Sequence, residues 1–507
     1  MKIPPLSNFV TTTVQMQDGQ FLLRATNGLA NLFLSVPQFC FGGSHIVLTA
    51  GQPPQVTSIQ GLQNENALAT VLKVATSVLP VLIGCSFRVL TLINPEMRKA
   101  LDLTPFPQKA ERTLNELLFT HVSSWSGRAA LCGHSLYAVH PLLETARARL
   151  HNPSEASAQE NRAMAALLGL AIGDAQGAPY EFLPWQEDPH TRKCDRFGLL
   201  PGQWTDDTSM ALCLADALSL GLVKFKGEEG EPIHLDQNQL MGLFRLWWNY
   251  GYNNAFRQEP RGSVGLGGNI SASFSQPHSP KICGKYETTA GDLNTSGNGA
   301  AMRNSPVAII ARSPEEAMRL AWEQSKVTHQ GVESALCCQL MAYITYHMIH
   351  SDQTTPAARL GQALQLIENF QFSSETDSLA GKGYIDSVMR LIRGEGEWNW
   401  KDSTFKFNQD RLISNPGYIG SYVMDGLAMA LHCLSTTNSF EKAIGKAAYR
   451  GGDADSIAAI LGQLAGPIYG LEGMPTQWVN EVLQHDGNGE IACRALVLLS
   501  LRDRPQI

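Results

Sequence analysis

The chain has 507 residues, a formal net charge of −7, 44% hydrophobic and 17% charged residues. That balance fits a packed globular chain of two or three domains and excludes a disordered one. The mild acidity argues against a nucleic-acid partner, which selects for a basic excess.

The opening stretch, MKIPPLSNFVTTTVQMQDG, lacks the long apolar core of a signal peptide. Phe21 to Ala50 has short apolar runs broken by Gly, Pro and Ser, which suits strands and turns. Ala67 to Ile93 reads as a helix and then a strand around Pro80. Its most apolar run is the 14 residues between Lys73 and Arg88. About 20 are needed to span a bilayer, so no membrane partner is expected. Glu111 to Thr120 and Pro141 to Leu150 read as helices. His151 to Asn161, HNPSEASAQEN, is polar and contains Pro, marking a linker or a helix start. The expected division is a smaller mixed α/β region over residues 1–150 and a second domain over 151–507.

After Asn161 the pattern is helical. Apolar residues recur at helical spacing over Arg162 to Ile172, Ser209 to Leu222, Gln239 to Trp248, Pro314 to Ser325, Gly331 to His350, Ala357 to Phe370, Ser421 to Ser435, Phe440 to Tyr449 and Ser456 to Ile468. The expected fold is mainly α: a compact all-α domain whose helices meet closely through Ala and Gly, as in GLAIGDAQG and AAILGQLAGPIYG. Ten cysteines are scattered with no CxxC pair, against a zinc ribbon. Most lie in apolar surroundings and read as buried, reduced thiols of a cytoplasmic protein.

Four short pieces carry chemistry: GDAQG (Gly173 to Gly177) with Glu181 after it, WTDDT (Trp204 to Thr208), GNGAAMR (Gly297 to Arg303) and RGGDADS (Arg450 to Ser456). In WTDDT, Thr205 or Asp206 could cap a helix and Asp207 could favour its positive end. Capping explains one acidic residue well and two adjacent ones less well. RGGDADS repeats the form, with Asp453 and Asp455 spaced to converge on one ion and Ser456 adding a hydroxyl. Such hard oxygen donors suit magnesium or calcium rather than zinc. GNGAAMR and GLGGNISASF, with Gly265 and Gly267, could let backbone N–H groups approach phosphate oxygens, although turn glycines are the commoner explanation. His329, in THQG, stands just before a helix and reads first as a structural hydrogen-bond partner.

Taken together and in this order, the motifs resemble the ADP-ribosylglycohydrolase family, the group of dinitrogenase-reductase-activating glycohydrolase and the ADP-ribosyl-acceptor hydrolases. The resemblance covers about residues 161–480. It implies an all-α fold with a site for two magnesium ions. Thr205, Asp206, Asp207, Asp453, Asp455 and Ser456 would be the ligands, with Asp455 as the bridge. Glu181, Asp207 and Asp455 would take part in catalysis. Gly265, Gly267, Gly297, Asn298, Gly299 and His329 fall where the family holds ADP-ribose. The implied activity is hydrolysis of ADP-ribose from a mono-ADP-ribosylated protein, arginine-linked in the first instance. Some arginine-acting members carry an Asp in an FDIGNT-like segment; here SVGLGGNIS (Ser263 to Ser271) has no acid, leaving the acceptor and the general base open. Residues 1–150 fall outside the resemblance. They would select the modified protein or dock onto an ADP-ribosyltransferase, as in an immunity protein against such a toxin.

Overall fold

The computed structural model describes residues 11–16, 43–48, 55–59, 142–194, 196–224, 232–256, 262–275, 296–414 and 418–502. The chain forms two compact units, residues 1–140 with 242–263, and residues 141–241 with 264–507. In the first, β1 (Thr11–Met16), β2 (Gly43–Leu48) and β3 (Gln55–Ile59) lie side by side in that order. β2 runs parallel to β1, with Thr11 opposite Gly43, and antiparallel to β3, with Gly43 opposite Ile59. β2 lies within the stretch where strands are expected. The elements expected over 67–93 and 111–120 lie outside the described residues.

Helices build the second unit. α1 (Leu142–His151) leads through a short turn into α2 (Ala158–Gly177). The polar segment between them is a helix start. The Ser157 hydroxyl accepts from Glu160 N, and the Glu160 carboxylate accepts from Ser157 N, a reciprocal cap for two otherwise unpaired donors. α3 (Asp206–Lys224) follows, then α4 (Gln237–Tyr250), whose residues from Gly242 on belong to the first unit, α5 (Gly268–Ser275), α6 (Ser305–Ile310), α7 (Pro314–Ser325), α8 (Val332–Ile349) and α9 (Pro356–Glu368). α10 (Ser374–Ala380), α11 (Lys382–Arg393) and α12 (Gln409–Ser414) lead to α13 (Val423–Ser435), α14 (Phe440–Ala448), α15 (Ala454–Tyr469), α16 (Thr476–Leu483) and α17 (Glu490–Arg502). Each helix expected from residue 141 onward is present. α5, α6, α10, α11, α12, α16 and α17 are additional. Among the described residues no helix is long and apolar enough to cross a membrane. Of the described cysteines, Cys213, Cys337, Cys338, Cys433 and Cys493 are buried thiols and Cys194 is exposed.

The core is organised around α2 and α15. Every residue of α15 is buried, as is nearly all of α2. They run antiparallel, backbone against backbone. A Cβ on Gly169 would sit 2.4 Å from Gly462 O, on Gly173 2.1 Å from Ala458 O, and on Gly177 2.4 Å from Ala454 O. From the other side, a Cβ on Gly466 would sit 2.0 Å from Ala165 O. Small residues every fourth position thus leave both helices without a side-chain layer along their shared seam. The approach aligns Asp174, next to Gly173, with Asp453 and Asp455 at the start of α15.

Gly173→Ala should therefore destabilise the protein by about 1–3 kcal/mol, the usual cost of forcing a methyl group into a filled core. Gly361→Ala, in α9, meets no atom within 4 Å and should stabilise by roughly 0.5–1 kcal/mol by the loss of glycine's unfolded-state freedom. Denaturant unfolding of both variants checks the pair; equal midpoints would show that the seam is not tight.

Candidate active site

Three chain segments converge at the glycine end of α2. The first is the start of α3. Here Asp174, not a residue of the loop itself, provides the cap. Its Oδ1 accepts from Thr205 N (3.0 Å) and Thr205 Oγ1 (2.9 Å), and its Oδ2 from Thr208 N (3.0 Å) and Thr208 Oγ1 (2.7 Å). The helix start thus needs neither Asp206 nor Asp207 as its cap. The Thr205 hydroxyl also lies 3.1 Å from Asp207 Oδ2 and 3.4 Å from Asp455 Oδ2. It has one hydrogen for three carboxylate oxygens.

The second segment is the start of α15. Asp453 precedes the helix without capping it. Its Oδ2 accepts from Asn298 Nδ2 at 2.8 Å. Asn298 also donates to Gly420 O (3.2 Å), so its amide faces the acid cluster. Gly451 and Gly452 have φ of +81° and +72°. A Cβ would lie 2.6 Å from Leu183 O in one case and 2.5 Å from Ile419 O in the other. Both positions demand glycine.

The third segment carries Glu181. The chain after it is pinned to the RGGD loop by Phe182 N to Gly452 O (3.1 Å) and Gly452 N to Leu183 O (2.7 Å). Phe182 has a φ of +68°, a strained conformation for a bulky residue. Its ring stacks on Tyr418 at 5.1 Å, and the Tyr418 hydroxyl donates to Glu181 Oε1 at 3.1 Å.

Two groups of carboxylates result. Asp174, Asp207 and Asp455 each place an oxygen within 4.8 Å of the others, and so do Glu181, Asp453 and Asp455. Asp455 belongs to both. Asp206 lies in neither group and faces the glycine loop, where a Cβ on Gly265 (φ +90°) would sit 2.3 Å from its Oδ1. The Ser456 hydroxyl also points toward Met302 Sδ (3.7 Å). All these acids are buried, and among the described residues none forms a salt bridge. Asp207 Oδ1 and Asp453 Oδ1 make no hydrogen bond. Glu181 Oε2 makes none either, and the Glu181 carboxyl lies close to those of Asp453 and Asp455. Buried anionic oxygens without donors fit a hard divalent cation.

The electrostatics follow. Burial, then Asp455, pushes Glu181, Asp206 and Asp207 well above the usual carboxylate range; burial, then Asp453, does the same to Asp455. Burial also raises Asp174 and Asp453, opposed by hydrogen bonds led by those from Thr208 and Asn298.

Beside the acids lies a glycine cradle. Cβ atoms on Gly297 and Gly299 would fall 3.2 Å from Nε2 and 2.8 Å from Cε1 of His329. Asn269, opening α5, lies at the same place, 3.1 Å from the Gly297 position. Around Gly267 only Ile270 approaches, at 3.7 Å. The expected site residues thus gather at one end of the α2–α15 pair. Asp174, Thr208 and Tyr418 join them without having been assigned from sequence. Asp174 had a signal, an acid on an otherwise apolar, glycine-spaced helix; Tyr418 sits in a loop with no pattern.

This helical unit places a buried, donor-poor carboxylate cluster that could hold a metal ion beside glycine loops. The family profile described as ADP-ribosylglycohydrolase matches residues 155–505. The chain is 34% identical over 343 residues to ADP-ribosylarginine hydrolase Tri1 of Pseudomonas putida (strain GB-1), covering 64% of this chain and 74% of that protein. It is 30% identical over 337 residues to ADP-ribosylarginine hydrolase Tri1 of Serratia proteamaculans (strain 568), covering 66% and 78%. With ADP-ribosylhydrolase ARH3 of Mus musculus it shares 23% over 344 residues, covering 62% and 85%. The chain belongs to the ADP-ribosylglycohydrolase family.

The raised carboxyls predict how a cation affects stability. Folded, they hold protons that the unfolded chain releases. Their stabilising contribution is therefore complete below the ordinary carboxylate pKa of about 4 and is lost as pH rises through the folded values. In chelator, the melting temperature should fall as pH rises above the ordinary carboxylate pKa of about 4. Magnesium at a hundred times its dissociation constant should restore about 2.7 kcal/mol at the upper end. Calorimetry in chelator and in magnesium measures both; a flat profile that ignores the cation would refute the electrostatic account.

Proposed function

We propose that the chain is a magnesium-dependent hydrolase that removes ADP-ribose from modified protein side chains, arginine first, and so reverses mono-ADP-ribosylation. The observation that carries this reading is Asp455, shared between two carboxylate groups whose outer oxygens lack donors. Thr205, Asp206, Asp207, Asp453, Asp455 and Ser456 would hold two magnesium ions, Asp455 being the acid common to both carboxylate groups. When bound, the ions supply positive charge and Lewis acidity to orient the distal ribose and lower the pKa of an attacking water.

The remaining work falls to the protein's own groups. The bond to be cut lies at the anomeric carbon of the distal ribose, so its transition state is oxocarbenium-like. The water oxygen bonds to that carbon as the bond to the side-chain nitrogen breaks, and the nitrogen leaves with a proton. Glu181 is placed to take the proton from the water or pass it to the leaving group. Tyr418 holds one oxygen of Glu181, and the clamped, strained Phe182 sets its direction. Gly265, Gly267, Gly297 and Gly299 let the backbone approach the ADP-ribose, with His329 behind them. Asn298 serves the same cradle by holding Asp453 in place.

Arginine is favoured as the acceptor because the two relatives at 34% and 30% identity are named for ADP-ribosylarginine. The family match begins at residue 155, and we assign the preceding extension to recognition of the modified protein.

Incubation with magnesium and arginine- or serine-linked ADP-ribosyl peptides, followed by mass spectrometry, should show release from the arginine peptide. No release from either would sink the reading. Asp455→Asn should lower kcat by roughly 10²–10³-fold, the scale for a principal electrostatic contributor. Tyr418→Phe, losing one hydrogen bond to a charged group, should lower it by roughly 10- to 100-fold with KM little changed.

A further inference from the structure

Behind the glycine cradle lies a chain of buried polar groups that the proposed reaction does not use. Arg303 is fully buried, as are Gln324 and Thr328, and His329 is 2% exposed. Arg303 Nε donates to Gln324 Oε1 (3.0 Å), and its Nη2 donates to Gln324 O (3.1 Å) and to Thr328 Oγ1 (2.8 Å). Thr328 Oγ1 lies 2.8 Å from His329 Nδ1.

Counting hydrogens fixes the direction of that last bond. A guanidinium only donates, so Thr328 Oγ1 is the acceptor toward Arg303. The hydroxyl has one hydrogen of its own, and the structure offers it one acceptor, His329 Nδ1. If Nδ1 carried the proton instead, the hydroxyl hydrogen would be buried without a partner, which proteins avoid. Nδ1 is therefore an acceptor, and the ring proton sits on Nε2. A second proton is opposed by burial, by Arg303 and by Lys326, which together lower His329 to about 3. Among the described residues Nε2 has no hydrogen-bond partner, and it lies beside Gly297.

We infer that Arg303, acting through Thr328, is a positioning residue that locks His329 as the Nε2–H tautomer and presents that N–H to an oxygen of the bound ADP-ribose. The inference rests on the ADP-ribose reading of the site. The device gives a donor whose direction cannot reverse: the imidazole can offer a hydrogen bond at Nε2 but cannot accept one there. It selects for a ligand oxygen with free lone pairs and against a donor group at that point. Arg303 acts here as a distant anchor, and Gln324 keeps it in place by donating in turn to Ala300 O (2.9 Å), in the same loop as Gly297 and Gly299.

The test uses the full chain labelled with ¹⁵N-histidine. Long-range ¹H–¹⁵N correlation spectra report which ring nitrogen bears the proton, and the His329→Asn variant assigns the signal among the 13 histidines. The expected wild-type pattern is a protonated Nε2 and a bare Nδ1. Thr328→Val removes the hydroxyl at nearly constant shape; it should mix the tautomers and weaken free ADP-ribose, measured by calorimetry, about tenfold. Thr328→Ser should restore both readouts, which a purely steric role for Thr328 would not require. A wild-type spectrum with the proton on Nδ1 overturns the lock. So does a Thr328→Val protein whose tautomer and affinity match the wild type. Failure of ADP-ribose to bind the wild type would overturn the cradle reading and the ligand half of the inference, while the spectrum decides the lock by itself.

Discussion

Along the seam between α2 and α15 there is no room for a side chain, and the geometry of the site depends on that fact. At Gly173 a methyl group would lie 2.1 Å from a carbonyl oxygen of the partner helix. Helices packed through larger residues can slide or tilt by repacking; these two are in register backbone to backbone. Asp174 is one residue from Gly173, and Asp453 and Asp455 sit where α15 begins, so the same contact that closes the core sets the spacing of the acids. Asp174, Asp206, Asp207, Asp455 and Ser456 sit on helices, a more exact way to hold ligands than loops alone.

Bringing these acids together costs energy. Asp174, Glu181, Asp206, Asp207, Asp453 and Asp455 are all buried, and repulsion among them would push the segments apart. The structure resists in three ways. Threonine hydroxyls and backbone N–H groups neutralise Asp174. Asn298 holds Asp453. Gly452 of the RGGD loop clamps the chain just after Glu181, accepting from Phe182 N and donating to Leu183 O. What these measures leave uncompensated is concentrated on a few outer oxygens, and this concentrated charge attracts a cation.

Much of this was readable in the sequence. The paired acids of WTDDT and RGGDADS stood out because a helix start has use for one carboxylate, not two. The long helices were readable where one face is polar, as in α7 and α9. Others were hidden for physical reasons. α17 buries Glu490 through Leu499 without a polar stripe, so its spacing carries no period. α11 has a stripe at Val388, Met389, Leu391 and Ile392 but lies between Gly381 and Gly394, both with positive φ, which read as turns. α3 begins at Asp206 rather than Ser209 because Asp174, from another helix, supplies its cap. Tyr418 meets Glu181 across 237 residues of sequence, and no local pattern encodes such a meeting. Asp174 was visible as a letter in GDAQG, yet its role needed the partner helix.

The separation of the two halves has a further consequence, for the order of events during synthesis. Thr205 and Asp455 are 250 residues apart. A ribosome finishes α2 and α3 long before it makes α15, so the glycine face of α2 waits without its counterpart while the intervening helices emerge. During that interval the early acids are an incomplete set, and the later ones do not yet exist. Completion of the site is therefore a late, long-range event, and a cation bound under the proposed function would report that the chain through Tyr469 has docked. A product that stops short of α15 would carry four of the six acids and lack the two at its start, which separates an unfinished molecule from a finished one by chemistry alone.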